Sequence, residues 1–126
     1  MVFITLENLK IYQLSREYST EAWEIYSHLD WQKKKVIGDQ YIRSVDSVGA
    51  NIAEAHGRYH YLDKNKFFYN ARGSLYESKH WLDLLYERNI ITKERYNKIL
   101  DIYNNIQRGL NGAINSNLDK KLAVDE

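Results

Sequence analysis

A chain of 126 residues with 44% hydrophobic content is long enough for one domain with its own core, and too apolar to stay disordered. Eighteen basic and seventeen acidic residues leave a net charge of +1, which gives no global pull toward nucleic acid. The absence of cysteine excludes disulfides, thiolate nucleophiles and zinc–cysteine sites, and the absence of proline lets helices run long.

Helical spacing dominates from the start. Ile11, Leu14, Tyr18, Ala22, Ile25 and Leu29 step by threes and fours and define one apolar face of a helix over 6–29. No apolar run reaches membrane-spanning length. The opening "MVFITLENLK" lacks a basic start followed by a long apolar stretch, so a cytoplasmic protein with no membrane partner is expected. A second helix is predicted over 39–56, with Asp39 as its cap after Gly38, Gly57 closing it as a left-handed residue, and Tyr41, Val45, Val48, Ile52 and Ala55 facing the core. A third is predicted over 63–88, capped by Asp63, with Phe68, Ala71, Leu75, Ser78, Leu82 and Leu85 inward. A fourth is predicted over 92–117, capped by Thr92, with Tyr96, Ile99, Tyr103, Ile106, Leu110 and Ala113 inward. Residues 119–126 read as a frayed tail. The short connection at 89–91 makes the last two helices antiparallel neighbours. The fold class is therefore all-α: one domain over 1–126, an antiparallel, left-handed, up-down-up-down four-helix bundle.

Catalytic and metal chemistry find little footing. A di-iron bundle needs two Glu-x-x-His motifs, and only Glu77–His80 supplies one. His56 and His60 are four apart, but Gly57 between them makes "HGRYHYLD" a turn rather than a ligating helix face. No phosphate loop or nucleophile elbow is present. The expectation is a protein with no catalytic residues, no metal and no cofactor.

Three other patterns remain. Ser47, Asn51, Glu54 and Arg58 form a polar line along the second helix. Arg72 on the third helix is placed to clamp Glu54 in a bidentate pair, so that Ser47, Asn51, Glu54 and Arg72 make a structural polar seam that fixes register. Tyr12, Trp23 and Tyr26 on the first helix, with Tyr69, Gly73 and Tyr76 on the third, occupy second faces that one bundle does not need. They predict a homo-oligomer interface. Finally, residues 31–66 are basic. Lys33, Lys34, Lys35, Arg43, Arg58, Lys64 and Lys66 are candidates to meet RNA or DNA phosphate, with Trp31 beside the lysines as a stacking surface.

The chain resembles the 23S rRNA-intervening-sequence protein family of small bacterial four-helix bundles, over roughly Leu6 to Leu118. "LENLKIY" is similar to the family's opening. Gln40, Arg43, Ser47, Asn51, Ile52, Ala53 and Glu54 match its helix-2 pattern, which ends Asn-Ile-Ala-Glu-Gly. Phe67, Ala71, Arg72, Gly73, Ser74 and Glu77 match its helix-3 pattern, Phe…Ala-Arg-Gly-Ser-x-x-Glu. Two positions depart: Gly49 stands where the family has proline, and Ala55 where it has glycine. The resemblance implies a homo-oligomer, typically a five-membered ring, and no established reaction. A related group, the accessory variability proteins of diversity-generating retroelements, binds nucleic acid and a reverse transcriptase, which implies nucleic-acid binding by analogy. The function expected is thus a non-enzymatic homo-oligomer, a homopentamer by resemblance, that binds nucleic acid through a basic rim or pore. The alternative is a protein-interaction scaffold or accessory subunit with no nucleic-acid role.

Overall fold

A computed structural model describes residues 4–125. After a 3-10 turn at Leu6–Asn8, α1 spans Lys10–His28. The next run, α2, joins an α-turn at Trp31–Lys33, a π-turn at Lys34–Gly38 and a regular α-helix at Asp39–His56 without a break. Then α3 spans Tyr61–Glu87 and α4 spans Lys93–Asp125. In cyclic order, α1 packs on α2 and α4, and α3 packs on α2 and α4, which leaves α1 diagonal to α3. This is the all-α four-helix bundle that the periodicity predicts.

The core follows the predicted stripes. Tyr18, Tyr41, Val45, Ile52, Leu75, Leu82, Ile99, Ile106 and Leu110 are fully buried. Buried Ile102 and Ile114 complete the inner face of α4. Burial of each such side chain contributes on the order of 2 kcal/mol, enough for packing rather than intrinsic propensity to hold the helices.

Several boundaries differ from the sequence reading. The first helix begins at Lys10, because Leu9 is extended (φ −75°, ψ 119°). The second begins eight residues before Asp39. Its cap is Asp30, whose Oδ1 accepts from the Lys33 backbone N–H at 2.9 Å. Gly38 does not interrupt the run. It is buried where Tyr26 and Leu29 of the preceding segment cross, and a Cβ there would sit 2.8 Å from Leu29 Cδ1. Asp39 caps nothing; its Oδ1 accepts from the Tyr26 hydroxyl at 2.7 Å.

Gly57 keeps a right-handed φ of −77°. The left-handed residue is Asn89 (φ 58°), which closes α3. There Ile90 N–H returns to Leu85 C=O at 2.9 Å and Asn89 N–H to Tyr86 C=O at 3.0 Å, the paired bonds of a Schellman end. At the start of α3 the cap position is His60, with Asp63 inside the first turn. Thr92 does cap α4, with Oγ1 accepting from Arg95 N–H at 3.1 Å. Residues 119–125 are not frayed; α4 carries on to Asp125.

Candidate functional surfaces

The polar line on α2 is partly a seam. Ser47 Oγ meets Ser74 Oγ of α3 at 2.8 Å, and Asn51 Nδ2 donates to Ser47 C=O (2.9 Å) and Ser47 Oγ (3.1 Å). Its lower end turns away. Arg58, two residues past the end of that helix, pairs through Nη2 with the exposed Glu54 Oε1 at 2.6 Å. The expected Glu54–Arg72 clamp does not form. Arg72 lies two residues before Ser74, about 200° round α3, so when Ser74 faces α2 the arginine faces α4. Arg72 Nη1 donates to Asn111 Oδ1 at 3.0 Å, and its guanidinium lies 5.2 Å from the Tyr69 ring centroid. Ser74 is the seam's true partner; it entered the sequence reading only through the family pattern.

The two aromatic sets lie on different sides of the bundle. Tyr12 and Tyr26 border the α1/α2 seam. Tyr12 rims a groove of about 250 Å³ whose floor includes Ser15, Gly49, Ala50 and Ala53. Tyr26 reaches Asp39 on α2 and stacks on Trp23 with centroids 5.4 Å apart, leaving Trp23 57% exposed. Here Gly49 serves close approach, since a Cβ would come 2.9 Å from Ser15 Oγ. Tyr69, Gly73 and Tyr76 border the opposite α3/α4 seam. The Tyr76 hydroxyl accepts from Gln107 Nε2 of α4 at 3.4 Å, and Tyr69 and Tyr76 are exposed. Nothing lies within 4 Å of a Cβ at Gly73, so that glycine is not required by the bundle's own packing.

The seven basic candidates do not converge. Lys33, Lys34, Lys35 and Arg43 belong to the first half of α2; Arg58, Lys64 and Lys66 cluster at its far end and the start of α3. Along the helix, Lys35 stands on the order of 35 Å and Arg43 on the order of 20 Å from Arg58.

The lysine triplet is itself divided. Lys33 Nζ pairs with Asp30 Oδ2 at 3.2 Å. That lysine's backbone and side-chain hydrogen bonds also hold the Asp30 carboxyl below its ordinary pKa. Lys34 Nζ lies 5.0 Å from the Tyr26 ring centroid. Only Lys35 points outward without either restraint, because the triplet sits inside a helix and not in a connecting loop. At the other end, Lys64 Nζ donates to Ala55 C=O (3.4 Å) and His56 C=O (3.3 Å), closing α2. Partial burial and nearby Lys120 lower its pKa.

A second cleft, of about 520 Å³, opens between α1 and α4, lined by Thr20, Glu21, Glu24, Thr92, Glu94, Arg95 and Lys98. Glu21 already occupies its cations, at 2.9 Å to Arg95 Nη1 and 3.0 Å to Lys98 Nζ. Among the described residues, no group of three or more His, Cys, Asp or Glu side chains is placed to hold a metal ion, and no helix is long and apolar enough to cross a membrane.

Comparison with known proteins agrees with the architecture. The profile of the 23S rRNA-intervening sequence protein family matches residues 7–112. A crystal structure described as a protein with unknown function from the S23 ribosomal protein family of Bacteroides thetaiotaomicron superposes with a TM-score of 0.77. It is 30% identical, and the match covers 82% of this chain and 97% of that one. No curated protein matches the chain.

Proposed function

The chain belongs to the 23S rRNA-intervening sequence protein family, and we propose that it is a non-enzymatic, self-assembling bundle whose copies join through unlike faces. One observation carries this reading: exposed aromatic residues border both the α1/α2 seam and the α3/α4 seam, which lie on opposite sides of the molecule. The first side has a groove floored by small residues, and the second has a tyrosine ridge around a glycine that internal packing leaves free. A two-fold dimer would pair one patch with itself. A groove and a ridge on opposite sides pair head to tail, and such a contact closes into a ring when the rotation between neighbours closes, otherwise into a filament. The family resemblance sets the expected number at five. The half-buried polar groups Ser47, Asn51 and Ser74 are satisfied by one another rather than aimed into a cavity, which favours assembly over catalysis.

Light scattering should show an oligomer at micromolar concentration, and Trp23→Ala with Tyr76→Ala should give smaller particles of unchanged helicity. A monomeric unmodified protein would overturn the reading.

Nucleic-acid binding is a second part of the proposal, supported by a narrower surface than the seven basic residues together. Trp31, 70% exposed, is on the same helical run as exposed Lys35 and Arg43. The π-turn absorbs one residue of rotation, so positions 35 and 43, eight apart, return to nearly one side of the helix. In an oligomer this unit repeats, and weak phosphate contacts combine.

A further inference from the structure

The cleft of about 520 Å³ lies on the α1/α4 side, away from the two seams that carry the exposed aromatics. Every residue that lines it is charged or carries a hydroxyl, so it suits a polar occupant and not an apolar one. Its charges fall into two sets. Glu21, with 16% of its side chain exposed, sits between Arg95 Nη1 at 2.9 Å and Lys98 Nζ at 3.0 Å. Among the described residues the Arg95 and Lys98 side chains have no other acceptor, so each keeps further N–H groups to donate. Thr92 Oγ1 accepts from Arg95 N–H and keeps its own proton for another acceptor. Glu24 and Glu94 form the second set. Both are exposed, and neither pairs with a lysine or arginine among the described residues.

An independent observation points into the same cleft from below. Tyr41 is fully buried, and its hydroxyl has no partner among the described residues. Because α2 is diagonal to α4, a long side chain on the inner face of α2 crosses the core toward the α1/α4 seam. The ionised side chains that act on the hydroxyl are those of Glu21 and Arg95, the bridged pair in the cleft. The hydroxyl therefore ends on the inner side of that bridge, with a proton to donate and no group to receive it.

We propose that this cleft binds a free basic amino acid, a small molecule with one carboxylate and two cationic nitrogens. The proposal goes beyond the assembly reading and does not depend on it. The ligand carboxylate takes the remaining N–H groups of Arg95 and Lys98 and the hydroxyl of Thr92, at the first turn of α4, where the helix dipole favours an anion. The two nitrogens meet Glu24 and Glu94. Three carboxylates against two cations leave the cleft at −1, which complements a ligand of net charge +1. As the ligand carboxylate draws the two cations outward, Glu21 accepts from Tyr41 in their place. Tyr41 is thus a positioning residue that acts through Glu21, and its hydroxyl gains an acceptor when the ligand binds.

Titration calorimetry of the full chain with lysine and arginine tests the proposal. Both should bind. Norleucine, which lacks the side-chain nitrogen, and cadaverine, which lacks the carboxylate, should each bind at least about tenfold more weakly than lysine. Lys98→Ala and Glu24→Gln, both at exposed positions, should weaken lysine about tenfold with helical circular dichroism unchanged. Tyr41→Phe should also weaken lysine about tenfold, while the melting temperature without ligand holds or rises, a split that a purely structural tyrosine would not give. No binding of lysine or arginine at about 10 mM would overturn the proposal. So would equal binding of lysine and cadaverine, or lysine binding untouched by Lys98→Ala or by Tyr41→Phe. Light scattering reads assembly separately, so a failure here leaves the assembly reading standing.

Discussion

Tyr18 Oη and Ser78 Oγ, sixty residues apart in sequence, meet 2.6 Å apart in the buried core. Ser78 Oγ also lies 2.6 Å from Leu75 C=O and must donate there, so Tyr18 is the donor in the pair. Burial raises the Tyr18 pKa, which keeps the hydroxyl protonated as that role requires. The two deletions are then unequal. Ser78→Ala strands a buried tyrosine hydroxyl and should cost about 1–3 kcal/mol, whereas Tyr18→Phe leaves the serine bonded to its own helix and should cost about 1 kcal/mol. Chemical denaturation of both single variants and the double variant checks the order. Equal losses would place the tyrosine's hydrogen bond elsewhere.

Tyr41 gives the opposite case. Its ring is fully buried and its hydroxyl has no hydrogen-bond partner among the described residues. Burial, reinforced by Tyr18 and Glu21, raises its pKa well above the ordinary tyrosine value. Tyr41→Phe removes an unpaired polar atom without changing the packed ring. It should leave stability unchanged or raise it by about 1 kcal/mol, read as a higher melting temperature. A clear loss would mean that an ordered water satisfies the hydroxyl.

The apolar stripes were legible because a three-and-four spacing has one solution, and Tyr18, Val48, Leu75 and Ile106 all lie where it put them. Gly38-Asp39 was not legible as helix interior. A glycine followed by a capping residue is the usual opening signal, and only the Tyr26 and Leu29 side chains crossing over Gly38 explain both residues otherwise. The Arg72 contact was misread for a related reason. Spacing along one helix shows which residues share a face, but which neighbour that face meets depends on the order of helices around the bundle. The basic residues between 31 and 66 look like one patch in sequence and become two because the length of α2 separates the lysines at its start from Arg58, Lys64 and Lys66 beyond its end. The buried Asn65–Asn117 pair, which secures the end of α4, had no sequence signal, since asparagine near a helix end reads equally well as exposed.

Two glycines on α4 should respond in opposite ways. A Cβ at Gly109 would collide with the Ile11 side chain, a branched group held in the core, whereas a Cβ at Gly112 meets nothing within 4 Å. Gly112→Ala should gain about 1 kcal/mol from helix propensity. Gly109→Ala should lose about 1–3 kcal/mol by forcing α1 and α4 apart. Melting curves of the two variants decide the matter, and a stabilised Gly109→Ala would show that α1 and α4 pack more loosely than the Ile11–Gly109 approach implies.

Nucleic acid provides the last prediction, and it separates the three neighbouring lysines. Lys33 is neutralised by Asp30, and that carboxylate also takes the N–H at the start of α2, where a phosphate would otherwise dock. Lys34 is drawn onto Tyr26. Lys35 and Arg43 have no such partner charge, and Lys35 stands about one turn from the exposed Trp31 ring, where a base can stack. Fluorescent single- and double-stranded RNA and DNA should bind weakly, with little sequence preference and with affinity falling steeply as salt rises. Lys35→Ala with Arg43→Ala should reduce the slope of log affinity against log salt by about two, one for each phosphate that is no longer neutralised. Lys33→Ala should leave it nearly unchanged. Trp31→Ala should weaken single-stranded ligands more than duplexes, because only unpaired bases can leave their stack for the ring. No binding at low salt, or equal weakening by Lys33→Ala and Lys35→Ala, would refute this surface and leave assembly alone as the protein's proposed role.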